Sequence, residues 1–196
     1  MRVQIFDDMS RCTEAEVVRM LPLVSAQRRE QALRYKHTLG RFCCLKSWLM
    51  LKELSDGTDS EWRYNEHGKP YWADGKRCFS ISHCKEGIAV AVADEEIGID
   101  IEAVRHADDT LIERTMNAAE RELINGDARV FTRLWTQKEA VLKAIGTGIS
   151  GFEQLQNVLA ENTAYEVQTI EKEKYIYSIA HGKLHCFGAQ VQAADL

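Results

Sequence analysis

The chain has 196 residues, is 45% hydrophobic and 28% charged, contains two prolines, and carries a formal charge of −5. This balance excludes a disordered or fibrous polymer and points to one compact folded unit with a good core. The negative charge excludes a general nucleic-acid coat, and no stretch approaches the roughly 20 apolar residues that span a bilayer, so neither nucleic acid nor membrane is expected as a partner.

Residues 3–6 are short and apolar, as for an opening strand. Thr13 with Glu16 three residues later reads as a capping box ahead of Val17, Val18 and Leu21. Ser25 or Gln27 then opens a long amphipathic run through Leu33, Leu39, Cys43, Leu45, Trp48, Leu49 and Leu51, read as helix with a bend near Gly40. This run carries Arg28, Arg29, Arg34, Lys36, Arg41, Lys46 and Lys52, with His37, against Glu30 alone. It is either a surface for an anionic ligand or a solvated helix face. Residues 55–60 form a polar turn, and residues 64–71, YNEHGKPY, form a loop in which His67-Gly68 turns and Pro70 holds Lys69 extended.

Phe79, Ile81 and residues 88–93 read as two strands of a hairpin closed around residues 84–87. Residues 97–101 are the next strand, 111–124 a helix containing Glu120, and 132–145 a second helix stopped by Gly146 and Gly148. Residues 165–170, 175–180 and 184–189 resemble an antiparallel meander. Helix followed by strands occurs before and after about residue 95, which predicts an α+β protein of two similar lobes, 1–95 and 96–196. The six cysteines, Cys12, Cys43, Cys44, Cys78, Cys84 and Cys186, form no C-x-x-C pairs. With the opening MRVQIFDD, this favours a reducing cytoplasm.

Three stretches carry chemistry. In IGIDIE, residues 97–102, strand alternation puts Asp100 and Glu102 on one face and Ile97, Ile99 and Ile101 on the other. In WTQKEAVLK, residues 135–143, helical spacing puts Glu139 and Lys143 on one face. Such a cluster suits a hard divalent ion that keeps substrate phosphates in its shell. The plainer alternatives are a wet strand face, a solvated helix face with an ion pair of about 0.2–0.5 kcal/mol, and a structural His83 at the end of FSISH, residues 79–83. Composition and periodicity stop at a divalent-metal phosphate site.

With GKP at 68–70, FSISH at 79–83, IGIDIE at 97–102 and WTQKEAVLKAIGTGI at 135–149 in this order, the chain resembles the surfactin-synthetase-activating class of 4′-phosphopantetheinyl transferases. The resemblance implies two pseudo-twofold lobes, each a small antiparallel sheet with a long helix, and an active site between them. It implies transfer of phosphopantetheine from coenzyme A to a serine of an acyl, peptidyl or aryl carrier protein, releasing 3′,5′-ADP, with Mg²⁺ or in its place Mn²⁺. The metal residues map onto Asp100, Glu102 and Glu139. The catalytic group maps onto Glu139, Lys143 and Glu120, and the coenzyme contacts onto His83, Ser82, Lys69, Lys138 and Lys143. Arg28, Arg34, Lys36 and Arg41 form a group for the 3′-phosphate. The general base stays open between Glu139, Glu120 and water.

Two departures stand out: Met116-Asn117 replaces the family's aromatic-Ser pair ahead of Glu120, and Cys84 replaces Ser or Thr after His83. A monomer is expected, since one chain holds both lobes. The rival readings are a coenzyme A or nucleotide pyrophosphohydrolase with water as nucleophile, and a non-catalytic carrier-binding protein.

Overall fold

A computed structural model of the chain describes residues 1–57, 62–148, 151–162 and 164–182; the strand expected at 184–189 lies outside them. The first half runs β1 (Arg2–Phe6), α1 (Glu14–Met20), α2 (Ala26–Leu33), α3 (Thr38–Leu54), a short hairpin β2 (Trp62–Tyr64) and β3 (Pro70–Trp72), then β4 (Cys78–Cys84) and β5 (Gly87–Ala93). The second runs β6 (Ile97–Ala103), α4 (Asp109–Thr115), α5 (Ala118–Ile124), α6 (Ala128–Ile145), α7 (Phe152–Asn157), β7 (Tyr165–Glu171) and β8 (Tyr175–Gly182). Two three-stranded antiparallel sheets result, ordered β1-β5-β4 and β6-β8-β7. Each has its last strand in the centre, and each first strand is followed by a long helix, α3 or α6. The two lobes therefore repeat one plan of strand, helix and hairpin, as the α+β reading anticipated. Among the described residues, no helix is long and apolar enough to cross a membrane.

The alternation of side chains along β5 and β6 joins the lobes. All seven residues of β5 are buried. Ile88, Val90 and Val92 pack with Phe42, Leu45 and Trp48 of α3, while Ala89, Ala91 and Ala93 pack with Ile97, Ile99 and Ile101 of β6. Small side chains on that face let the second lobe come close, and period-two alternation makes one strand serve two cores. The opposite face of β6 carries Gly98, Asp100 and Glu102, over which α6 packs. A Cβ on Gly98 would run into the Ala140 carbonyl oxygen and stand 2.5 Å from Ala144 N. Glycine on the strand and alanines on the helix thus permit the close crossing.

Four local expectations change. The run after Ser25 is two helices, broken at residues 34–37, and not one helix bent at Gly40. Ser25 Oγ accepts from Arg28 N and caps α2, and His37 is extended at φ −103°, ψ 146° before α3. Gly40 lies in the first turn of α3, where a Cβ would come 2.7 Å from Tyr35 Cδ1, so the glycine makes room for that ring. The helix expected over 111–124 is also two, because buried Met116 is extended and Asn117 caps α5. The reciprocal capping box sits here, between Asn117 and Glu120; Thr13 accepts from Glu16 N, but the Glu16 carboxylate turns to Arg19. Finally, α6 starts at Ala128, since Asp127 accepts from the N–H groups of Arg129 and Val130, and α7 had no clear forecast in the sequence.

Candidate functional site

The crossing of α6 over β6 brings the acidic strand and the helix motif together. Asp100, 3% exposed, receives Lys143 Nζ at 2.6 Å and Ser82 Oγ at 2.8 Å, both on Oδ1. Lys143 Nζ also donates to Ser82 Oγ at 2.9 Å, closing a triangle between β4, β6 and α6. Among the described residues, Asp100 Oδ2 is buried with no hydrogen-bond partner. The Glu102 and Glu139 carboxyls are both pushed above the ordinary range, first by burial and next by the neighbouring Asp100 charge. For Glu102, Arg105, Lys143 and a hydrogen bond from the Trp135 side chain offset part of that push.

The FSISH strand supplies the other wall. Phe79 points into the first core against Trp62 and Trp72, and the alternate Ser80 and Ser82 point toward β6. Ser80 Oγ accepts from Ile99 N at 3.0 Å, fixing the strand that carries Asp100. His83 stays exposed at the strand end, yet its neighbours disfavour the imidazolium: burial lowers its pKa first, Lys143 next, and Asp100 opposes them. The Cys84 sulfur accepts from Glu86 N at 3.4 Å within the hairpin turn, and burial pushes its thiol pKa up.

Beside the triangle lies a cleft of about 270 Å³, lined by the turn His67, Gly68, Lys69 and Pro70, by Ser80 and Ile81 of β4, and by Glu139, Lys143, Gly146 and Gly148 of α6 and its end. Lys69 lines it, but its ammonium also donates to the Ala144 carbonyl at 2.7 Å, and burial lowers its pKa. The cation thus meets the negative end of α6.

Other expected site residues are engaged elsewhere. Lys138, 0% exposed, donates from Nζ to the carbonyls of Leu155 at 2.6 Å and Gln156 at 3.3 Å, and pairs with Glu120 at 2.7 Å. The Glu120 carboxylate also accepts from Asn117 N at 2.9 Å. These two side chains tie α5, α6 and α7 together and point away from the triangle. The basic segment is not one surface either. Arg28 is 5% exposed, with its guanidinium 3.5 Å from the Trp62 ring centroid and 4.8 Å from that of Trp48. Arg34 pairs with Glu30, Arg41 with Glu14 and the Tyr35 carbonyl, and Lys36 is exposed.

Four further positions shape the site or its cleft. Ser80 could have been found from the FSISH alternation, and Trp135 from its place one helical turn before Glu139. Gly98 lies in plain sight between two isoleucines, but its function needs the helix above it. Asn65 carries no sequence signal beyond a turn-forming residue ahead of a glycine.

Among the described residues, no group of three or more His, Cys, Asp or Glu side chains is already set to hold a metal. The donor set nonetheless fits a hard divalent cation: the Glu102 and Glu139 carboxyls lie within electrostatic reach of Asp100, one Asp100 oxygen is buried without a partner among the described residues, and both glutamates are pushed toward the neutral form by burial and then by the Asp100 charge. In the arrangement seen, Lys143 supplies the positive charge on the other Asp100 oxygen.

Comparison with known proteins gives a consistent picture. A family model described as the 4′-phosphopantetheinyl transferase superfamily matches residues 96–194. The chain is similar to 4′-phosphopantetheinyl transferase gsp of Aneurinibacillus migulanus, at 32% identity over 59% of this chain and 50% of that protein. It is similar to 4′-phosphopantetheinyl transferase AcpT of Salmonella typhi, at 36% identity over 51% of this chain and 58% of that protein. It is also similar to 4′-phosphopantetheinyl transferase Sfp of Bacillus subtilis strain 168, at 27% identity over 70% of this chain and 67% of that protein. The chain therefore spans about half to two thirds of the length of these relatives, which do not fall into a single subclass.

Proposed function

The chain belongs to the 4′-phosphopantetheinyl transferase superfamily, and from that premise we propose that it transfers the 4′-phosphopantetheine group of coenzyme A to a serine of an apo carrier protein, releasing 3′,5′-ADP. The observation that carries the reading is the buried Asp100 Oδ2, without a partner among the described residues, set beside Glu102, Glu139 and Lys143 at the edge of a cleft. Asp100, Glu102 and Glu139 would hold Mg²⁺, or Mn²⁺ in its place. The ion, when bound, supplies charge neutralisation for the coenzyme pyrophosphate and its leaving group.

The chain's own groups do the rest. Lys143, fixed by Asp100 and Ser82, presents an ammonium at the cleft, where a preorganised positive charge favours the charge that develops on the transferring phosphoryl oxygens. Ser82 orients both partners. Glu139 lines the cleft and is the proton acceptor that the geometry favours for the carrier serine, because Glu120 is committed to Asn117 N and Lys138. His83, exposed beside Lys143, would meet the coenzyme 3′-phosphate, and Lys36, with Arg34 and Arg41 released from Glu30 and Glu14, would add positive charge from the basic segment. In this reading the lobes divide near residue 95, and the coenzyme lies between them. The surfactin-synthetase-activating class is the subclass we favour, on the joint GKP, FSISH and WTQKE motifs.

The test is to incubate apo carrier proteins with the chain, coenzyme A and Mg²⁺, and to measure intact carrier mass. The reading predicts a gain of one phosphopantetheine group on one serine. Release of 3′,5′-ADP at full rate without any carrier would favour pyrophosphate hydrolysis and sink it.

A further inference from the structure

Asn65 uses every polar atom it has. Its Oδ1 accepts from His67 N at 3.0 Å and Lys69 N at 2.8 Å, its own N–H donates to the Lys69 carbonyl at 3.0 Å, and its carbonyl accepts from Gly68 N at 3.0 Å. One residue thereby shapes the tight turn in which Gly68 takes φ +84°. Its Nδ2 points out of that turn, donating to the Gly146 carbonyl at 2.9 Å. Gly146, at φ +81°, ends α6. The turn and the end of α6 both line the cleft, and this bond joins them.

The electrostatics give the bond a second consequence. The last carbonyls of a helix have no partners within it and carry the negative end of its dipole. Here that end borders a cleft read above as the seat of an anionic coenzyme. Lys69 Nζ occupies the Ala144 carbonyl and Asn65 Nδ2 the Gly146 carbonyl, so two oxygens that would repel phosphate are taken up.

We propose that Asn65 is a positioning residue for coenzyme binding, holding the Lys69 turn against the end of α6 and covering a carbonyl there. This rests on the coenzyme A reading of the cleft. Two variants separate it from a purely structural role. Asn65→Asp keeps the oxygen that shapes the turn but replaces the donor to Gly146 with a negatively charged acceptor; Asn65→Ala loses both. Melting temperature, coenzyme A affinity by calorimetry, and KM and kcat for transfer are measured on the full chain.

Asn65→Asp, which keeps the turn, is expected to lose less melting temperature than Asn65→Ala, yet to bind coenzyme A about tenfold more weakly, with KM raised to match and kcat at saturation changed less than about twofold. Asn65→Ala is expected to show a similar rise in KM together with a lower melting temperature. An Asn65→Asp protein that binds coenzyme A like the wild type, while only Asn65→Ala weakens in step with lost stability, would make Asn65 a turn-former and overturn the inference. A wild-type chain that neither binds coenzyme A nor modifies a carrier takes down the parent reading along with it. Normal wild-type transfer with an unaffected Asn65→Asp sinks this inference alone.

Discussion

Asp100 sits at the meeting point of three elements because its strand neighbours alternate: the isoleucines on either side are held in the interlobe core, which leaves the carboxylate no direction but toward α6. Removing its charge leaves Lys143 and Ser82 without their shared acceptor. Asp100→Asn is therefore expected to lower carrier modification by about 10²-fold or more, while circular dichroism stays native. Glu139→Gln should be comparably damaging. Glu120→Gln, which can still accept from Asn117 N, should retain most transfer. If Glu120→Gln instead loses activity as fully as Glu139→Gln at unchanged stability, the proton acceptor has been misplaced. For Lys138 the expected effect is on stability. Its side chain and that of Glu120 are 0% and 8% exposed, so Lys138→Met, which strands the glutamate, should cost about 3–5 kcal/mol in denaturant unfolding.

The shared faces of Asp100 with Glu102 and of Glu139 with Lys143 were legible because periods of two and of four need no tertiary knowledge. Lys138 was not: it lies about 100° around the helix from Glu139, and its partners are carbonyls of α7, a helix with no clear pattern in the sequence. The surroundings of Arg28 were hidden for a similar reason. Its place in a basic run does not reveal the two tryptophans that bury it.

At the scale of elements, the site depends on how closely one helix crosses one strand. Gly98, Ala140 and Ala144 are the contact, and Gly98→Ala would force α6 outward from the face that holds Asp100 and Glu102. Overpacking of this kind costs about 1–3 kcal/mol. Because the displaced helix also carries Glu139 and Lys143, transfer should fall further than the lost stability explains. Full activity in a Gly98→Ala protein with a lowered melting temperature would show that the crossing does not set the site.

Strand positions were readable because alternation and turn residues are local. Helix boundaries at residues 34–37 and at Met116 were not, because each break follows from a side chain with a tertiary place: Tyr35 folded against Gly40, and Met116 buried.

For the whole molecule, two copies of a strand, helix and hairpin plan meet through β5 and β6, and the cleft takes residues from both. The repeat could be sensed as an order of elements, yet it leaves no matching residues, since burial constrains side-chain size and not identity. The carboxylates at the interface carry a cost that depends on pH. The raised folded values of Glu102 and Glu139 mean that their ionised forms are disfavoured in the fold. Without metal, this destabilisation is present at neutral pH and is relieved as pH falls through those raised values. Mg²⁺ at about 100 times its dissociation constant should add about 2.7 kcal/mol, or roughly 5–10 °C in melting temperature for a chain of this size. That gain should shrink as the same carboxyls are protonated. A gain that is independent of pH would place the ion elsewhere.

The most direct measurement is a calorimetric titration of Mg²⁺ into the chain with coenzyme A present, for the wild type and for Asp100→Asn. One ion should bind per wild-type chain and none to the variant over the same concentration range. Equal binding by both proteins would contradict it.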